Sequence, residues 1–177
     1  MLRRGLKWLF AVVDRVSDAA AAIAMFMIVL MIGTVLFEIV SRQVFRAPTI
    51  WAFDVSYMLN GSLFMLGAAY TLRKGGHVRV DFLYERLPAT VQHLLQFVLY
   101  AFLFIPVLWL GTNVAVSRAH RAWIRGTLEN ASAWEPLLWP FLTALALGLT
   151  LLLVQVAIEA LRSGVAIVTA LRSRESD

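Results

Sequence analysis

AAAAIAMFMIVLMIGTVLFEIVS, residues 19–41, decides the fold. Its one ionisable residue is Glu38, near the carboxyl end. Coiled as a helix, the stretch reaches about 34 Å, enough to cross a hydrocarbon core about 30 Å thick. Backbone groups in lipid must bond within their own segment, so a helix is the expected form. Three further runs share this character: Trp51–Leu72, His93–Ser117 and Leu137–Leu161. Each has about 22–25 residues, again a membrane's thickness. The pattern predicts an all-α integral membrane protein with four transmembrane helices. Composition agrees: 60% of residues are hydrophobic, only 15% are charged and the mean hydropathy is +0.76, too apolar for a soluble domain of 177 residues.

The chain has no cysteine, which excludes disulfides, thiolate metal sites and cysteine nucleophiles. A net charge of +5 invites a nucleic-acid reading, but in a membrane protein basic residues mainly set orientation, so no nucleic-acid partner is expected. Of the 16 Lys and Arg, eleven fall on one side: at the amino terminus, between spans two and three (Arg73, Lys74, Arg79, Arg86) and after span four. The other five are Arg42, Arg46, Arg118, Arg121 and Arg125. Both termini are therefore expected in the cytoplasm. Residues 1–18 read as a cytoplasmic amphipathic helix lying on the membrane, with Leu2, Leu6, Leu9, Val13 and Val16 on one face. Residues 19–161 form the membrane domain and 162–177 a cytoplasmic tail. The loops after spans two and three are long enough for short in-plane helices. Pro106 predicts a kink inside span three, whereas Pro140 is tolerated in a first turn.

Charges near the spans are the functional suspects. Glu38 and Arg42 stand four residues apart on one helix face, and Asp54 opens span two, so a Glu38–Arg42–Asp54 clasp is expected. Glu159 and Arg162 form a local pair at the other side. In GGHVRVDF, residues 75–82, one His and one Asp flank an arginine that would repel a cation. That is poor metal-ligand spacing, and no cofactor is expected. The stretch reads instead as a span end followed by a short helix at 82–87, with Asp81 as its cap. Arg118, Arg121 and Arg125 share a helical face that suits an acidic protein or anionic membrane lipid. Gly61 and Ala68 in span two, and Ala144 and Gly148 in span four, allow helices to approach closely.

The order Glu38, Ser41-Arg42, Phe45, Trp51, Asp54, then Gly67-Ala68-Ala69, then His77-Val78-Arg79-Val80-Asp81, resembles the small membrane subunit of tripartite ATP-independent periplasmic (TRAP) transporters, the DctQ type. The motif match runs from about residue 20 to about residue 90, and HVRVD is its most specific part. Asp54 departs from the more usual Glu, keeping the charge but shortening its reach. The resemblance implies a bacterial inner-membrane protein, not an enzyme, that scaffolds a large permease subunit. That subunit would carry the substrate and sodium sites, and a periplasmic binding protein would deliver an organic acid anion. Glu38, Arg42, Trp51, Asp54, His77, Arg79 and Asp81 would then serve structure and partner contact, with Arg118, Arg121 and Arg125 within reach of the docked binding protein. The competing class is an autonomous four-helix transporter or channel acting as a homo-oligomer, for which Glu38 is the one embedded carboxylate available.

Overall fold

The structure, a computed structural model, describes residues 2–74, 89–130 and 132–174. The stretch with His77, Arg79 and Asp81, and the short helix expected at 82–87, lie outside the described residues. Helix α1 spans Leu2–Gln43 and α2 spans Ala52–Arg73. Helix α3, Ala89–Val98, passes through a π-helical stretch at Leu99–Phe104 into α4, Ile105–Arg125. Helix α5 spans Trp139–Arg174. Among the described residues these make four helical rods. The turn between α4 and α5 is closed by an isolated antiparallel bridge between Leu128 and Leu137.

The helices outrun the apolar stretches that announce them. Residues 2–18 are not a separate surface element but the start of the 42-residue α1. Gly5 and Gly33 bracket a long run without glycine or proline, and Ala19–Ala22 is a strong helix former, so nothing breaks the rod at residue 18. Helix α4 likewise continues past Ser117 until Gly126 ends it in the left-handed conformation at φ 57°. Among the described residues of the loop between α4 and α5 no in-plane helix forms; the loop is held by backbone hydrogen bonds from Glu129 to Pro136 at 2.9 Å and from Leu138 to Thr127 at 3.0 Å. Helix α5 runs on to Arg174 rather than stopping at 161. Pro106 has no N–H for the ladder, and the wider turns of the π stretch just before it take up that defect.

Among the described residues, three helices contain stretches long and apolar enough to cross a membrane: Phe10–Gln43, Leu99–Arg125 and Trp139–Gly164. Helix α2 is 22 residues long but carries Asp54, Ser56, Asn60 and Ser62. Helix α5 is the hub: it packs on α2, α3 and α4 and touches α1, which otherwise leans on α2. Small residues dominate the buried positions, among them Ala20, Ala24, Ala52, Ala69, Ala122 and Ala160. That is how helices associate where lipid removes the hydrophobic drive and close backbone approach must supply the attraction. Two apolar clusters sit between the ends: Leu72, Tyr100, Val156 and Ala160, and Ala20, Ala24 and Leu66. Phe26, Val29 and Leu36 leave much of α1 bare.

Candidate functional site

Charge gathers at the two ends of the bundle. The near end holds the start of α1; the far end holds the α1–α2 and α4–α5 turns. Asp14 at the near end and Glu38 at the far end are 24 residues apart on one helix, about 36 Å.

At the far end Glu38 is the organiser. One carboxylate oxygen accepts from Arg42 Nε at 3.0 Å and Nη2 at 2.6 Å. The other accepts the Thr49 N–H at 3.1 Å and the Thr49 hydroxyl. A single carboxylate thus ties the end of α1 to the turn that leads into α2. Ser41 donates to the Ala47 carbonyl at 2.6 Å, and Phe37 stacks on Trp51 with ring centres 5.7 Å apart. Arg46 takes a left-handed backbone at φ 53°, which lets the chain reverse.

Asp54 is not in this knot. It is 7% exposed and accepts a hydrogen bond from the Ser132 hydroxyl, whose oxygen accepts the Trp134 N–H at 3.1 Å. The expected three-residue clasp is thus two devices. Thr49 fills the remaining capacity of Glu38, while Asp54, in the first turn of α2, faces the α4–α5 turn and pins it.

The near end carries an interlock that the local pairing of Glu159 with Arg162 does not announce. Arg73, at the end of α2, donates to Asp18 at 2.7 Å and to the Asp14 backbone carbonyl at 2.6 Å. Arg162 on α5 bonds Glu159 at 2.7 Å and reaches Asp14 at 3.4 Å, and it lies over the Phe10 ring at 4.9 Å. Three helices meet through these two arginines. The Asp18 hydrogen bond, reinforced by the charges of Asp18 and Asp14, holds the Arg73 guanidinium above its ordinary value despite partial desolvation. The available signal in the sequence was an acidic pair, Asp14 and Asp18, four residues apart at the mouth of an apolar run, where each needs a cation at equal depth.

Between the ends, α2 and α5 approach backbone to backbone. A Cβ on Gly148 would lie 2.5 Å from the Met65 carbonyl carbon, and one on Gly61 would lie 2.7 Å from the Phe141 ring. Gln155 is 0% exposed, and neither polar atom of its amide has a hydrogen-bond partner among the described residues.

Arg118, Arg121 and Arg125 line one wall of a cleft of about 500 Å³ at the far end. Tyr57, Phe141, Leu142 and Leu145 form the opposite, largely apolar wall, and Glu129 sits on the rim. Trp123 and Trp139 meet edge to face beside it, centres 4.4 Å apart.

The family model described as "Tripartite ATP-independent periplasmic transporters, DctQ component" matches residues 31–165. The chain belongs to the DctQ family. This match runs from the middle of α1 to the near end of α5, so it takes in both the Glu38 knot and Arg162. A DctQ component with several long apolar helices is a membrane protein of a TRAP transporter. The chain is also similar to the sialic acid TRAP transporter permease protein SiaT of Haemophilus influenzae (strain 86-028NP), 37% identical over 60 residues. That stretch is 34% of this chain and 10% of the relative, so the chain spans only a small fraction of the curated permease it matches.

Proposed function

We propose that this chain is the static scaffold of its TRAP transporter: a non-enzymatic small subunit that holds a large permease subunit in the bacterial inner membrane. Both termini face the cytoplasm, with the near end inside and the far end in the periplasm. The large subunit carries out sodium-driven uptake of an organic acid anion brought by a periplasmic binding protein. Sialic acid, named for the relative, is a carboxylate-bearing anion of this class.

One observation carries the reading. Glu38 with Arg42 at one end, and Asp14 and Asp18 with Arg73 and Arg162 at the other, lock the bundle's own helices, while α1 presents an unpartnered apolar face between them. A moving transport element needs an ionisable or broken-helix site near the midplane. Glu38 lies toward one end and is already shared by Arg42 and Thr49. The exposed face of α1, with Phe26, Val29 and Leu36, suits the large subunit. The HVRVD stretch at 77–81 supplies a second, cytoplasmic contact. The small share of SiaT that this chain resembles supports a division of labour in which the transport chemistry lies outside it.

The test is purification of the tagged chain from its native membrane in a mild detergent, with mass spectrometry of what accompanies it. A larger, many-span permease in constant proportion supports the scaffold. A lone chain or a homo-oligomer would transfer the proposal to an autonomous transporter.

A further inference from the structure

The far-end cleft has a lining that scaffolding does not explain. Arg118, Arg121 and Arg125 recur at helical spacing on one side of α4, and among the described residues no carboxylate forms an ion pair with them. Glu129, which also lines the cleft and has an interaction of its own, offers one negative charge against three positive ones. The opposite wall is Phe141, Leu142 and Leu145.

Depth decides what fits. The Trp123–Trp139 contact sets two points of α4 and α5 level with each other. Arg118 precedes Trp123 by five residues, which places it about 7 Å further along the rod, toward the middle of the bundle. Leu142 and Leu145 follow Trp139 in the same direction. The deepest guanidinium therefore stands against leucine side chains, beyond the paired tryptophans that suit a membrane interface. An unpaired cation at hydrocarbon depth is costly and calls for an anion at the same level. A soluble protein would meet the mouth of the cleft but not its leucine floor.

We propose that the cleft holds one anionic phospholipid of the leaflet at the far end. Its phosphate bonds Arg118 and Arg121 through paired N–H donors, and Arg125 guards the mouth. Its acyl chain lies along Leu142 and Leu145. The leaflet is the outer one under the orientation proposed above, but binding itself does not depend on that orientation or on the large subunit. A volume of about 500 Å³ accommodates a headgroup with the first part of a chain.

The experiment is native mass spectrometry of the full chain, with whatever partner co-purifies, in detergent supplemented with phosphatidylglycerol or phosphatidylcholine. One phosphatidylglycerol should be retained about tenfold more strongly than phosphatidylcholine, in keeping with charge-assisted paired hydrogen bonds. The R118Q/R121Q double variant should lose that preference, and R118K/R121K should keep part of it. Millimolar inorganic phosphate should not displace the lipid, because it lacks the chain. Melting temperature and elution volume show whether the variants are folded. Equal retention of both lipids by the native chain would overturn the proposal. So would displacement by phosphate alone. So would a folded double variant that keeps its lipid but loses the binding protein, which would assign the arginines to a soluble partner. Co-purification of the permease is scored separately, so failure here leaves the scaffold reading intact.

Discussion

Replacing Gly148 by alanine probes the closest approach in the bundle. The new Cβ would sit 2.5 Å from the Met65 carbonyl carbon, 2.6 Å from its oxygen and 2.7 Å from its Cβ. Ordinary contact needs about 3.5 Å or more. The obstacle is backbone, so α2 and α5 must part by about 1 Å locally. Overpacking of this kind costs about 1–3 kcal/mol. Alanine recovers about 0.5–1 kcal/mol through its better helix propensity, leaving a net loss of about 1–2 kcal/mol. For a chain of this size that corresponds to about 3–8 °C in melting temperature. The assay is thermal unfolding of the purified protein in one detergent, followed by tryptophan fluorescence. Two companions calibrate it. At Gly61 the new Cβ meets only the tip of the Phe141 ring, which can swing, so the loss should be smaller. At Gly33 nothing lies within 4 Å, so alanine should be neutral or slightly stabilising. A Gly148→Ala protein that melts with or above Gly33→Ala would refute the close approach.

Four other substitutions address the polar devices. Arg73→Leu should cost about 1–2 kcal/mol and loosen the start of α1, because Arg73 is only 16% exposed whereas its partner Asp18 is half in solvent; faster proteolysis within residues 2–18 would register it. Gln155→Leu should leave stability unchanged or raise it by about 1–2 kcal/mol, since the buried amide finds no partner among the described residues; a clear drop in melting temperature would mean the amide is satisfied. Glu38→Ala removes the acceptor for both Arg42 and the Thr49 N–H and should lower the melting temperature. Less permease should then co-purify per mole of this chain, while Arg42→Ala, which leaves Thr49 bonded, should be milder.

Much of the architecture is legible because hydropathy counts residues against bilayer thickness. Three runs found that way correspond to helices apolar enough to span a membrane, and the fourth to a helix with more polar residues. Helix ends obey a different rule. Apolar runs end where lipid ends, but helices end where glycine, proline or a turn ends them. Hence α1 began earlier than expected, α5 ran further, and α4 carried its arginines to Gly126. The candidate site divides in the same way. Glu38 and Arg42 are four residues apart, so their pairing could be read from helical spacing. Asp54 meets Ser132 across 78 residues and Asp14 meets Arg162 across 148, distances over which spacing carries no information. The cleft needed both kinds of fact: the arginine face was periodic, but its leucine wall comes from another helix.

The most direct measurement is sodium-driven uptake in proteoliposomes that contain this chain alone, or this chain with its co-purifying permease, each with the system's own binding protein. Labelled carboxylic acid anions, sialic acid among them, serve as substrates. A scaffold should give no uptake alone and sodium-dependent uptake with the permease. Sodium-driven uptake by this chain alone, abolished by Glu38→Gln, would contradict the scaffold.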